Sequence, residues 1–269
     1  MNLVTHNPLR SLGIPGTVHI KPGHMYREAA TIREADLVLF PEYWQVNTLV
    51  HAFRRSIFPS LATYHLGHDK IEMHRALLAV CPENLPETLI LGAGPRSEEE
   101  ILDALDFPFV AKEVRNSCGS GVFLIENRRD WRGYAEANDV WYTQEYLPVK
   151  RDLRVVVIGN RAVAAYWRVA AMDSFHTNVA RGGHVDYTGA PAPAVQLVER
   201  VARNLGVDHA GFDVIVADGH CHILEFNVFF GLRGLHERKV PVADLVLDYL
   251  TGMFQAPGVP DRPVFPKAS

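Results

Sequence analysis

Hydrophobic residues along the chain follow two periods, and their alternation lays out a mixed α/β molecule. The apolar run ADLVLF at 35–40 predicts a buried strand. Over 45–55 the apolar positions are Val46, Leu49, Val50 and Phe53, the spacing of one helix face. A second helix is predicted over 68–80, with Ile71, Met73, Leu77 and Leu78 as its apolar set. The run TLIL at 88–91 is strand-like, and the glycine- and proline-bearing step at 92–95 makes a boundary. Ser97-Glu98-Glu99-Glu100 reads as a capping box ahead of Ile101, Leu102 and Leu105.

Strands are expected at 107–114 and 122–126, a helix over 128–137, and an aromatic-rich strand over 140–147. Two runs at 152–158 and 162–169 flank Gly159-Asn160-Arg161 and read as a hairpin. Residues 172–190 are polar and glycine-bearing, which predicts a long loop of the kind that is usually functional. The clearest amphipathic helix is 192–205, with Leu197, Val198, Val201 and Leu205 on one face and Gly206 as its stop. Two further strands and a last helix over 242–253 follow, then a tail from Ala256 with four prolines.

Composition narrows the classes. The chain has 269 residues, 48% hydrophobic and 22% charged, with a net charge of −4. Acidic and basic residues are mixed along it, so nucleic acid is not an expected partner. No run approaches the ~20 apolar residues of a membrane span, and Pro8, Pro15 and Pro22 interrupt the first 25 residues; a cytoplasmic protein is expected. Three widely spaced cysteines argue against a disulfide framework. Thirteen histidines show no HExxH and no matched zinc-finger pairs.

Two stretches carry chemistry. In AKEVRNSCGSGVFLIEN, residues 111–127, a lysine stands in an apolar strand just ahead of a small, glycine-bearing tip. A cation beside exposed backbone N–H groups suits an anion such as phosphate; a plain hairpin with a snorkelling lysine would look the same. In GFDVIVADGHCHILEFN, residues 211–227, Asp218-Gly219 marks a hairpin. Taking Phe212, Val214 and Val216 as one apolar face and His222, Leu224 and Phe226 as its match requires a three-residue loop. That register sets Asp213 opposite Glu225, with Asn227 two residues along the same face. Two bare carboxylates at ~5 Å repel by about 3 kcal/mol at an effective dielectric of about 20. Protonation, an arginine or a bound cation relieves this, and two carboxylates plus an amide oxygen suit Mg²⁺; a solvated polar hairpin face is the plain alternative. Together the two stretches describe an ATP site. It is neither a P-loop nor a protein-kinase site, since GxxxxGK[ST], HRD and DFG are absent.

At this point the sequence resembles the ATP-grasp superfamily, and most closely its RimK-like glutamate-ligase group, over roughly residues 60 to 250. The pieces run in order: FVAKEVRNSCGSGVFLI, TQEYL, RDLRVVVIGNRAVAAYWR, FHTNVARGG, GFDVIV and ILEFNVFFGL, preceded by HLGHDKIEMHRALL. The resemblance implies an α/β (α+β) ATP-grasp fold, with the nucleotide between two subdomains. They would be a lysine and glycine-loop part at 96–147 and a metal-binding part at 148–255. A small α/β domain at 1–95 would precede them, and a proline-rich tail at 256–269 would follow. It implies ATP and Mg²⁺ (Mn²⁺ as the alternative ion), and phosphate contacts from Lys112 under a lid bearing Ser117, Gly119, Ser120 and Gly121. Gln144, Glu145, Tyr146 and Leu147 would line the adenine pocket. Asp152 would sit near the ribose, and Arg154 and Arg168 would face phosphate or an acyl phosphate. Asn178 and Arg181 would lie over the γ-phosphate, and Asp213, Glu225 and Asn227 would hold the metal.

Four departures stand out. Cys118 replaces a common glutamine, His176 a common arginine, and Val228-Phe229-Phe230 a small-residue-and-proline step; the spacing from Glu145 to Asp152 is short. The activity implied is carboxylate–amine ligation through an acyl phosphate. Its partners would be an amino acid or peptide and an amine, with a protein tail as a further acceptor class; an oligomer is compatible with all of this. Two other readings stay open: a nucleotide-binding protein with little or no ligase activity, and a hydrolase built on Cys118 or a serine.

Overall fold

Leu3-Val4-Thr5 and Leu37-Val38-Leu39 are buried at every position, and strands covered on both faces are those that pair in parallel. The computed structural model, which describes residues 1–114, 121–159, 161–169 and 184–255, uses them as the centre of its first sheet. Strands β1 (Leu3–Thr5), β2 (Thr17–His19), β3 (Leu37–Leu39) and β4 (Ser56–Phe58) lie parallel in the order β2-β1-β3-β4. The helix predicted over 45–55 is an α-helix at Tyr43–Asn47 continued by a π-turn at Thr48–Ala52.

The second sheet is antiparallel, with β5 (Thr88–Gly92), β6 (Phe109–Lys112), β7 (Val122–Ile125) and β8 (Val140–Glu145) in the order β5-β8-β6-β7. This corrects one expectation. The 88–91 strand was assigned to the N-terminal unit but pairs with β8, Thr88 opposite Gln144 and Gly92 opposite Val140. A short apolar run identifies a strand without identifying its partner. The capping box at Ser97 is also corrected. The helix starts three residues earlier, with Gly94 at the N-cap and Pro95 leading Pro95–Ala104, where a missing N–H costs nothing. Ile101, Leu105, Phe109, Ile125, Trp131, Tyr134 and Trp141 form a core that belongs to this sheet alone.

The third sheet holds β9 (Arg151–Ile158), β10 (Arg161–Val169), β11 (His184–Asp186), β12 (His209–Ala217) and β13 (His220–Asn227), ordered β11-β10-β9-β12-β13. Strand β11 falls within the stretch predicted as loop; the rest of 172–190 up to 183 lies outside the described residues. The β12–β13 hairpin keeps Phe212 opposite Phe226 and Asp213 opposite Glu225, then shifts by a bulge so that Val214 faces Ile223 and Ala217 faces His220. The turn is thus two residues, Asp218 and Gly219, both at positive φ (51° and 80°), as Asp-Gly favours. The apolar face of β13 is Cys221, Ile223 and Phe226, not His222, Leu224 and Phe226. The bulge reconciles a two-residue turn with the register that the far end of the hairpin needs.

Helices Lys70–Val80 and Ala192–Leu205 cover one face of this sheet with Met73, Leu77, Leu197, Val198 and Val201. Leu78, expected in the core, is exposed, and His74 is buried instead. The other face packs on helix Val242–Gln255, which also joins the first sheet in one cluster with Leu3, Leu37, Leu39, Phe58, Ile158, Val246 and Leu250. No helix among the described residues is long and apolar enough to cross a membrane. The tail from 256 lies outside them.

One buried carboxylate ties three of these parts together. Asp208 Oδ1 accepts from Ser60 N at 2.8 Å and Thr63 Oγ1 at 3.0 Å, while Oδ2 accepts from Tyr249 OH at 3.4 Å. Its loss strands buried donors on two helices. Asp208→Ala should lower stability by about 2–3 kcal/mol, read as a drop in the urea midpoint at unchanged slope.

Candidate active site

Strand β6 is buried at each of its four residues, and it ends on a lysine. Burying an ammonium is costly unless it is hydrogen-bonded and near opposite charge. Lys112 meets both conditions. Its Nζ donates to Gln144 Oε1 on β8 at 2.8 Å and lies 5.4 Å from the centroid of the Tyr142 ring. Burial pulls its pKa down to about 8; the carboxylates of Glu225 and Asp213 on the third sheet oppose that shift, and nearby Lys70 adds to it. Tyr134 OH braces the strand by donating to the Lys112 carbonyl at 2.8 Å. At the base of the hairpin, Glu113 N donates to Gly121 O at 2.7 Å, and Gly121 takes a φ of 78° that favours glycine. The lysine hairpin and the acidic hairpin therefore face one another across two sheets.

On the third sheet a second group is assembled from alternate positions of three strands. Arg154 on β9 faces Asp213 on β12, its Nε 2.6 Å from Oδ1 and its Nη2 donating to Oδ2 at 3.3 Å. The shorter contact is an ion pair without hydrogen-bond alignment. Arg168 on β10 forks onto Asp152, Nε to Oδ1 at 2.7 Å and Nη2 to Oδ2 at 2.6 Å, and its Nη2 also lies 3.0 Å from Asp213 Oδ2. Burial works against the charge on Arg168, but Asp213 and Asp152 outweigh it and hold the guanidinium protonated. The strain of placing Asp213 opposite Glu225 is thus relieved by arginine. Glu225 and Asn227 are half-buried, with Asn227 Nδ2 3.4 Å from Glu225 Oε1.

The remaining predicted residues divide clearly. Gln144 is committed at both ends, to Lys112 through Oε1 and to Thr88 Oγ1 through Nε2 at 2.8 Å. Its side chain positions the lysine, so any role toward a base falls to the backbone beyond it. Glu145 Oε1 accepts from Glu87 N at 2.9 Å, and Tyr146 and Leu147 follow the strand half-buried. Asp152 is an ion-pair partner of Arg168. Ser117, Gly119, Ser120, Asn178 and Arg181, with Cys118 and His176, lie outside the described residues.

Two residues on helix Lys70–Val80 were missed. Lys70 lies near enough to Lys112 to disfavour its charge, and its own N–H reaches Val114 O at 3.4 Å. His74, one turn on, is buried against the Tyr142 ring with centroids 5.8 Å apart. Its pKa is lowered by burial and then by Lys112. The available signal was Asp69-Lys70 in the quoted HLGHDKIEMHRALL: an Asp N-cap, which accepts from Ile71 N and Glu72 N, starts a helix with a lysine at its first position.

Glu225 and Asn227 offer oxygen ligands on one strand, and Asp213, whose two oxygens already face Arg154 and Arg168, stands opposite on the paired strand; an oxygen-only set of this kind fits a hard divalent cation. Among the described residues no group of three or more His, Cys, Asp or Glu could hold a metal, so any site there depends on the amide as third ligand. A thiol mechanism gains nothing from Cys81 or Cys221. Burial pushes Cys81 up to about 11 and raises Cys221 as well, which suppresses the thiolate.

Comparison with known proteins places this arrangement. The model of the RimK-like ATP-grasp domain matches residues 67–250. Among curated proteins, a probable alpha-L-glutamate ligase of Xanthomonas euvesicatoria is 34% identical over 176 residues, 63% of this chain and 59% of the relative. One of the same name from Rhodopirellula baltica is 29% identical over 178 residues, 62% of this chain and 44% of the relative. The chain thus spans about half the length of these relatives. Among solved structures, a RimK domain ATP-grasp protein of Sphaerobacter thermophilus aligns with a TM-score of 0.73 at 18% identity, covering 93% of this chain and 99% of that one. A D-alanine–D-alanine ligase of Bacillus anthracis complexed with ATP aligns at 0.67 and 13% identity, covering 93% and 96%. At these identities the likeness concerns the fold.

The setting of Lys112 has a measurable signature. Its ammonium should titrate near pH 8, well below an ordinary lysine. Glu225→Gln removes a charge that favours the protonated form and should move the midpoint lower still. Heteronuclear NMR of the lysine side chain checks both, and an unchanged midpoint in the variant would separate the two hairpins.

Proposed function

Because the chain belongs to the RimK-like ATP-grasp family, we propose that it is an ATP- and Mg²⁺-dependent carboxylate–amine ligase acting through an acyl phosphate. A substrate carboxylate oxygen attacks the γ-phosphorus of ATP and ADP leaves. An amine nitrogen then attacks the acyl carbon, phosphate leaves, and the nitrogen gives up a proton, forming an amide. The observation that carries this reading is the juxtaposition of Lys112, on the second sheet, with Glu225 and Asp213 on the third. It supports a reading in which a phosphate-binding cation and a metal-binding acid pair would flank one nucleotide.

Each side chain then has a definite task. Lys112 and Lys70 bind phosphate oxygens, and Gln144 keeps the Lys112 ammonium in place. Glu225 and Asn227, with Asp213, would hold Mg²⁺, which when bound would neutralise charge on the phosphates. Arg154 and Arg168, paired with Asp213 and Asp152, face the transferring phosphoryl group or the acyl phosphate. Backbone groups of residues 145–147 receive the adenine. The glycine-bearing segment 116–121 and residues Asn178 and Arg181 would lie over the phosphates and exclude water, which otherwise hydrolyses the acyl phosphate. No covalent nucleophile from the protein is required; positioning and electrostatics supply the rate. The name shared by the relatives supports L-glutamate as one substrate, joined to an amino acid, a peptide or a protein tail.

Hydroxylamine tests the chemistry, since it traps an acyl phosphate as a hydroxamate. With L-glutamate or cell-extract carboxylates, the wild-type chain should form hydroxamate and ADP in equal amounts. Lys112→Ala and Glu225→Ala should each lower this by about a hundredfold or more. Full activity in either variant overturns the site assignment. Nucleotide binding without hydroxamate or amide across the screen favours a nucleotide-binding protein without ligase activity.

A further inference from the structure

We propose that Arg10 is a specificity-determining residue of this cleft. It takes a carboxylate of the substrate other than the one being activated, so that the preferred substrate is an acidic amino acid or a related dicarboxylate. The inference rests on the ligase reading above.

Arg10 lies in the turn that leaves β1. In the order β2-β1-β3-β4 the chain departs from β1 toward one side and continues from β3 toward the other. Parallel sheets receive ligands outside the carboxyl ends of their strands at such a point. Asn7 shapes the turn: its Oδ1 accepts from Arg10 N at 3.2 Å and its carbonyl accepts from Ser11 N at 3.2 Å. That turn lays the Arg10 side chain across the Phe229-Phe230 step, the place where the sequence departs from the family's small-residue-and-proline pattern. Nη2 donates to Phe230 O at 3.1 Å, and the guanidinium carbon is 4.8 Å from the centroid of the Phe229 ring. Phe229 is braced by Tyr43 and Tyr64, with centroids at 6.1 and 5.9 Å, and Phe230 stacks on His209 at 5.0 Å. The guanidinium is therefore held in one place by a rigid aromatic group.

Its charge, by contrast, is unanswered. Among the described residues no carboxylate lies within ion-pair distance of Arg10, and the carbonyl of Phe230 is the one acceptor it meets. An arginine carries five N–H donors, and none of its nitrogens is sealed from solvent without a partner. Arg154 and Arg168 differ, because both are already paired with aspartates. A half-buried, immobilised guanidinium with open donors matches the fork of a carboxylate.

The position relative to the chemistry is also set. A Cβ placed on Gly211 would lie 2.5 Å from Arg154 Nη1 and 3.0 Å from Phe230 Cβ. Arg154 and Phe230 thus both pack against Gly211 of β12, and the carbonyl of that same Phe230 holds Arg10. One residue separates the paired arginine of the reaction centre from the unpaired one. A substrate reacting beside Arg154 presents a more distant carboxylate to Arg10.

The test uses the full chain with Mg·ADP, titrated calorimetrically with L-glutamate and its two mono-amides, L-glutamine and L-isoglutamine. Wild type should bind L-glutamate at least about tenfold more tightly than one of the mono-amides. Arg10→Gln should remove that preference, and Arg10→Lys, which keeps the charge without the fork, should retain part of it. Equal binding of all three ligands by wild type overturns the proposal without recourse to any variant, as does a preference that survives in Arg10→Gln. Uniform weakening of all three by Arg10→Gln would mark Arg10 as a clamp on the aromatic step and also overturns it. Mg·ADP affinity is measured on the same samples. Its absence in wild type would instead remove the ligase reading on which the proposal stands.

Discussion

Two arginines and two aspartates share one almost dry corner of the third sheet, and the need for neutrality there governs the site. Ionised groups of this kind cannot be buried singly; removing one partner leaves another charge uncompensated at a cost of several kcal/mol. Asp213 lies between Arg154 and Arg168, and Arg168 reaches on to Asp152. Three strands are locked in register by this chain of charges. The register in turn sets Asp213 beside Glu225, and so fixes where the half-buried acid faces the lysine of the other sheet.

The same arrangement explains why Lys112 keeps an accessible proton. Burial favours the neutral amine, and the carboxylates of Glu225 and Asp213 favour the ammonium; the balance falls at about 8. Gln144 is spent in holding the nitrogen still rather than in meeting a ligand. A phosphate arriving between the two sheets would find a cation already oriented, with little reorganisation left to do.

Much of this was legible in the chain, for identifiable reasons. The helix at 192–205 and the stop at Gly206 announce themselves because period and cap agree. The Asp213–Glu225 pairing could be read because burial of one face admits few registers. The turn length could not, since a bulge at one end of the hairpin hides a residue that the period-two count assumes. The partner of the 88–92 strand was invisible because nothing local encodes which of two sheets an apolar run will join. The role of Lys70 is not legible in its own motif, because its significance comes from a neighbour 42 positions away in sequence. The same limit hid Arg10, whose setting depends on Phe229 and Phe230 at the far end of the chain.

The apolar clusters divide the working parts unequally. The first and third sheets are joined through Leu3, Leu37, Leu39, Phe58, Ile158, Val246 and Leu250, while the second sheet keeps its own core around Trp131 and Trp141. Arg10, Lys70, Arg154 and Glu225 therefore ride on a common anvil, and Lys112 rides on a separate jaw. If Arg10 selects an acid as proposed, that geometry is cast into the anvil, and a shift of the jaw would alter only the proposed grip of Lys112 on the triphosphate. On the proposed ligase reading, loosening the tryptophan-lined core would blunt turnover and leave the choice of substrate intact.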